Sequence, residues 1–228
     1  MLIAIALIAV LILIFLPQIW TKAVYRKYSI ELEELPGTGG ELAQHLIDKF
    51  QLTEIKVEET ETEGNHYDPE SKIVRLSPDI FQAKSLTAVA VAAHEIGHAI
   101  QHNSGYRPLY LRSNMAKIVA ISEKVAAMML VAFPFAALLT KIPMVGGLLL
   151  FCGILILLLP VLFHLITLPV ELDASFNRAL PILEHGNYLP ESALPIAREI
   201  LTAAAFTYLS ASLASVLNFY RWLVFLRR

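Results

Sequence analysis

Residues 86–102 read Leu86-Thr87-Ala88-Val89-Ala90-Val91-Ala92-Ala93-His94-Glu95-Ile96-Gly97-His98-Ala99-Ile100-Gln101-His102. The stretch predicts a helix that starts near Ser85 and ends before Gly105, a natural residue just past a helix C-terminus. Leu86, Val89, Ala90, Ala93, Gly97 and Ile100 recur at helical spacing and form its packing face. The small residues among them let a neighbouring element approach closely. The apolar run ahead of His94 is too short to cross a bilayer, which takes about 20 residues. Inside the helix, His94-Glu95-Ile96-Gly97-His98 is an HExxH sequence. Its two histidines lie one turn apart on one face, so both imidazoles can reach one ion. Glu95 projects beside that ion. Zinc lowers the pKa of a coordinated water to about 7, and Glu95 is placed to take that proton and pass it to a leaving amine. The plainer reading is a helix with two surface histidines and a glutamate.

A catalytic zinc takes three protein ligands and keeps one open position. The candidates for the third are His66, His102, His164, Glu171 and Asp173. His102 is a further turn along the same helix, and one straight helix cannot wrap three turns of ligands around a tetrahedral ion, so it reads as a helix-end residue. Glu171 is better placed. Pro169 reads as the first turn of a new helix, on which Glu171, Ala174, Ser175 and Arg178 share a face. Alternatively, Glu171 and Asp173 are first-turn acids favoured by the helix dipole. Ligand histidines need a partner on the other ring nitrogen, and Asp173 or Asp79 can supply one. Arg178 is a candidate to orient Glu171 or to stabilise an oxyanion. His66 and Tyr67 are candidate oxyanion donors. An exposed edge strand there would bind an extended peptide by strand addition.

Around these residues, 28–117 read as a small polar domain. Between Tyr28 and Glu70 stand twelve Asp/Glu and two Lys, which read first as a solvated surface. Thr38 to Gln51 predicts a helix with a Thr38/Glu41 capping box and an apolar face of Leu42, Ala43, Leu46, Ile47 and Phe50. Residues 54–60 and 72–76 alternate as strands do. Asp68-Pro69 marks a turn between them. The expectation is a small, mostly antiparallel sheet with an edge strand near His66.

The whole chain is 228 residues, 56% hydrophobic and 17% charged, with mean hydropathy +0.59. An average soluble domain has about 45–50% apolar and about 25% charged residues, so an ordinary soluble globule does not fit. Net charge −2 leaves no basic footprint for nucleic acid. The lone Cys152 excludes an intrachain disulfide framework and zinc sites built on paired cysteines. The apolar surplus is clustered in Leu2 to Leu16, Val125 to Leu139, Ile142 to Phe163 and Ile200 to Phe219, so four membrane segments are expected. Lys22, Arg26 and Lys27 follow the first segment and place residues 21 onward in the cytoplasm. A cleaved signal lacks support: the run has no basic start and no A-x-A site follows it. Residues 220–228, apolar with flanking arginines, suit a membrane interface.

These residues carry a resemblance. Asn65-His66-Tyr67-Asp68-Pro69, Val74-Arg75-Leu76-Ser77, Ala92 through Gln101, and Val170-Glu171-Leu172-Asp173-Ala174-Ser175 resemble the YugP-like membrane zinc metallopeptidases over nearly the whole chain. The resemblance implies a neutral zinc peptidase of bacterial membranes, with His94 and His98 as ligands, Glu95 catalytic and Glu171 as third ligand. A wider similarity is to HtpX-type and prenyl-protein-processing membrane proteases. Those carry an Ala-Asp pair one turn after the ligand glutamate; here Ala174 matches and Ser175 replaces the aspartate.

The expectation is therefore an α+β membrane protein, mostly helical, with a small antiparallel sheet, an HExxH helix and about four membrane helices. It divides into an anchor (1–20), the first part of a zinc protease domain (21–117), a transmembrane hairpin (118–168), a third-ligand helix and loop (169–198) and a C-terminal membrane or interfacial helix (199–228). One Zn2+ ion is expected, with a peptide or membrane-protein substrate, the lipid bilayer as partner and no nucleic acid. The location expected is the bacterial inner membrane, multi-pass, with the catalytic part cytoplasmic. Two other readings stand beside this gluzincin-type endopeptidase: a site-2-type intramembrane protease using Asp173, and a non-enzymatic adaptor or holdase that keeps a metal for folding.

Overall fold

The computed structural model describes residues 2–61 and 64–226, without the side chains of 2–11, 13–14, 123, 137, 143 and 218–226. The expected segment 220–228 lies outside the described side chains. The chain begins with α1 (Leu2–Lys27), the helix that carries the first apolar run. Helix α2 (Gly39–Lys49) starts at Thr38 with both bonds of the capping box, and buries Leu42, Ala43, Leu46 and Ile47, while Phe50, expected on the same face, caps the helix end and is exposed.

Three strands follow: β1 (Lys56–Glu59), β2 (His66–Asp68) and β3 (Ile73–Leu76), in the order β1-β3-β2. The sheet is mixed. β2 pairs antiparallel with β3, with His66 opposite Arg75, and is an edge strand as expected. β1 is parallel to β3, with Lys56 opposite Ile73. A parallel pair needs a long crossover, and residues 60–72, with β2 inside them, supply it. Strand alternation alone does not reveal that crossover.

A short helix, α3 (Pro78–Phe81), leads into α4 (Leu86–Asn103). Ser85 caps α4 by accepting a bond from the Ala88 amide at 3.1 Å, and Gly105 takes a positive φ of 69° just past its end. The sequence suggests one packing face, but α4 is buried on all sides from Leu86 to Ala99. It is the central rod of the core, enclosed by α2, the sheet and the segment that follows the membrane hairpin.

That hairpin consists of α5 (Arg107–Thr140), α6 (Pro143–Ile156) and α7 (Leu158–Leu172), turning at Lys141 with φ 56°. Pro169 does not open a new helix; it lies inside α7. The helix runs on through a π-helical segment, Asp173–Ala179, into α8 (Leu180–His185). Proline lacks an amide donor, and the neighbouring turns absorb that loss, so the ligand segment is an extension of a membrane helix. The last helix is α9 (Leu194–Leu226). Among the described residues, three stretches are able by length and composition to cross a membrane: Arg107–Thr140, Met144–His185 and Glu191–Leu217; most of the first of the four expected segments, Leu2 to Leu16, lies outside the described side chains.

Candidate metal centre

Helix α4 carries His94 and His98 into the core, 8% and 5% exposed, and the end of α7 brings Glu171 against them, fully buried. One ligand atom from each lies within 4.8 Å of the others. Glu171 Oε2 stands 3.2 Å from His94 Nε2 and 3.3 Å from His98 Nε2. Gly97 makes this approach possible: a Cβ there would meet the Ala174 carbonyl oxygen at 2.7 Å. The π-helical segment widens the helix where it crosses α4, a feature frequent at functional sites.

The outer ring nitrogens are also engaged. His98 Nδ1 meets Gln101 Oε1 at 2.9 Å. The Gln101 amide nitrogen donates to the Val170 carbonyl and to Asp173 Oδ2, both at 2.8 Å. Both partners only accept, so the amide orientation is fixed and its oxygen must face His98. His98 therefore carries a proton on Nδ1, which leaves Nε2 as the nitrogen that can ligate beside Glu171 Oε2. Two imidazoles with a buried carboxylate match the zinc ligand set. Ser175 Oγ lies 3.0 Å from His94 Nδ1 and so holds the other imidazole.

Charge is arranged around the same point. Arg112, from the start of α5, places Nη1 2.8 Å from Glu171 Oε1. The contact lacks hydrogen-bond alignment, and Oε1 has no hydrogen bond among the described residues. Burial depresses the His94 imidazole, but the Glu171 contact and the Glu95 charge outweigh it and raise its pKa above the ordinary value. Asp173 does not ligate; it accepts from Arg178 Nε at 2.7 Å, from Gln101, and from Asn177 at 3.0 Å. Arg178 is thus directed to Asp173 and not to Glu171, and the chain Arg178–Asp173–Gln101 ends on His98.

The remaining candidates sit elsewhere. Tyr67 packs into the core beneath α4, and its hydroxyl meets His102 Nδ1 at 2.6 Å. That position is one turn beyond His98, away from the cluster. Burial, then the Asp68 charge, raise the Tyr67 phenol above its usual pKa. Burial and Lys72 lower that of His102. His66 faces the Gly64 carbonyl and Arg75. His164 meets Phe163 edge-on in α7, two turns before Glu171. Asp79 lies in the first turn of α3. Glu95, 6% exposed, borders a cavity of about 170 Å³ together with His94, Tyr25 and Tyr208.

Sequence reasoning missed Gln101 and Arg112. Gln101 was within reach, because it follows His98 by three residues on one helix face. Arg112 had no local signal, since only the return of α7 brings it to Glu171.

A relative from Bacillus subtilis (strain 168), named "Putative membrane protease YugP", is 35% identical over 219 residues, covering 95% of this chain and 93% of its own length. No solved structure matches the chain. The family described as "Putative neutral zinc metallopeptidase" matches residues 3–227, and the chain belongs to that family.

Proposed function

We propose that the chain is a gluzincin-type zinc endopeptidase of the membrane, with His94, His98 and Glu171 holding the ion and Glu95 acting as general base. The observation that carries this reading is the convergence of Nε2, Nε2 and Oε2 in a buried site with Glu95 on the adjoining cavity wall. A bound zinc would supply Lewis acidity and acidify a water. The chain's own residues do the rest. Glu95 accepts the proton of the attacking water and delivers it to the amine nitrogen as the carbon–nitrogen bond breaks. Gln101 and Ser175 keep the imidazoles oriented, and Asp173 with Arg178 anchor Gln101.

The substrate would be a peptide or membrane protein. The chain would lie multi-pass in a bacterial inner membrane, with Lys22, Arg26 and Lys27 holding the catalytic part on the cytoplasmic side. A site-2-type reading would put HExxH inside a span, and α4 belongs instead to the sheet-bearing core.

The test compares full-length wild type with Glu95→Gln in detergent, measuring zinc content and cleavage of casein and a broad peptide set. Wild type should cleave, and Glu95→Gln should lose about 10²–10⁴-fold in rate with zinc retained. Undiminished cleavage by Glu95→Gln would remove Glu95 from the mechanism. Equal zinc and no cleavage by either protein would favour the adaptor reading.

A further inference from the structure

The cavity beside Glu95 is walled by more than the HExxH helix. Val91, His94 and Glu95 come from α4, Thr21 and Tyr25 from α1, and Ala204, Thr207 and Tyr208 from α9. It is preformed. Buried Thr21 donates to the Ala203 carbonyl at 2.6 Å and so ties α1 to α9, and Trp20 packs edge-on against Phe206 at 5.6 Å. Larger clefts, such as the one between Pro36 and Tyr188, have no wall on the metal centre.

Its size limits what enters. Pockets for whole ligands run to about 300–1,000 Å³, while an apolar cavity of about 150 Å³ takes one benzene. At about 170 Å³, this cavity suits a single side chain. Its chemistry limits entry further. Val91, Ile200, Leu201 and Ala204 give apolar wall, and Tyr25, Tyr208 and Thr207 give hydroxyls. Among the described residues no lysine or arginine lines it to pair an acidic side chain, which would stand beside the Glu95 carboxylate and compete with water for the ion that His94 would hold. A basic one would be stripped of water and would pair with the group needed as base.

Its level in the membrane follows from two independent measures. Arg112 lies 29 residues before Lys141, and Glu171 lies 29 residues after Ile142. That is about 43 Å of helix from the hairpin turn to the metal centre, against a hydrocarbon layer of about 30 Å. With the turn at the far boundary, the centre stands about 13 Å past the near one, just outside a headgroup layer about 5–8 Å deep. Trp20, Tyr25 and Tyr208 are aromatic residues of the kind that gather at the membrane–water interface, and Lys22, Arg26 and Lys27 flank them.

Resting on the peptidase reading, we infer that this cavity is a specificity subsite. It takes one uncharged side chain, up to about benzene size, next to the scissile bond of a polypeptide segment held at the membrane surface.

The experiment incubates zinc-loaded full-length protein in detergent with a library of randomised dodecamer peptides and reads the cut sites by mass spectrometry. Wild type should enrich Leu, Met or Phe over Ala, and over every charged residue, at one position beside the cut. Ala204→Met, which fills the cavity, should lower the kcat/KM ratio of Phe-bearing to Ala-bearing peptide about tenfold or more, with zinc content kept. Val91→Ala, which enlarges it, should shift the ratio the opposite way and stands if the first variant fails to fold. Cleavage by wild type with no size preference, or an unchanged ratio in both folded variants, would overturn the subsite and leave the peptidase reading intact. No cleavage by zinc-loaded wild type would overturn both.

Discussion

The metal centre depends on which nitrogen of each imidazole is bare, and that choice is made by residues that would never touch the ion. Gln101 is completely buried and uses all three of its bonds: two donated away from the centre and one accepted from His98. Replacing it by Leu keeps much of the volume and removes the acceptor. Partners of this kind typically contribute 10–100-fold in metal affinity, so Gln101→Leu should weaken zinc binding by about that factor in chelator competition. Unchanged affinity would mean that His98 is oriented by packing alone. Arg112 acts through charge. Without it, the buried Glu171 carboxylate keeps only the two histidines, or a bound cation, to compensate it, and stripping one partner from a buried pair costs up to about 3–5 kcal/mol. Arg112→Gln should therefore destabilise metal-free protein by that order while changing the zinc-loaded form much less. The gap between the two melting temperatures would widen, and a gap equal to that of wild type would contradict this account.

Among the elements, the crossing of α4 and the π-helical segment sets the geometry. The Gly97 Cα has the Ala174 carbonyl directly over it, and Glu171 leads straight into that segment. Gly97→Ala forces the two apart. Overpacking of this kind costs about 1–3 kcal/mol, and because the displaced segment carries Glu171 and Ser175, the same substitution should lower zinc retention. Equilibrium dialysis and thermal unfolding on one preparation separate the two effects; lost stability with full zinc affinity would mean the ligand does not depend on this crossing. The elements themselves were legible in the sequence where their signals are local. Thr38 and Glu41 announced α2, Ser85 and Gly105 bracketed α4, and HExxH on a helix fixed which face would gather ligands. What was not legible depends on how far the chain continues before it turns. Pro169 looked like a beginning because proline is favoured at helix starts, yet neighbouring packing carries the helix through it. Strand alternation placed β1 and β3 but not their parallel pairing, which is fixed by where the connecting residues cross.

For the molecule as a whole, the membrane hairpin is part of the site's topology. The chain leaves the candidate metal centre after His98, runs away from it along α5, returns along α6 and α7, and arrives at Glu171 with Arg112 alongside. The hairpin therefore sets the position of a ligand and of its counter-charge at once. Excising residues 118–168 should reduce the metal centre to two histidines and abolish stoichiometric zinc. A break at the turn is a different perturbation. Lys141 is exposed, in a left-handed turn between α5 and α6, and no ligand lies near it. Helices that are each stable in a bilayer can associate without a covalent link. Residues 1–141 and 142–228, produced together as two chains, should copurify and retain one zinc per pair. If they copurify without zinc, the turn itself holds the spacing between Arg112 and Glu171. If they do not associate, the packing of α5 on α6 and α7 is too weak to place a ligand by itself, and the covalent turn is what completes the site.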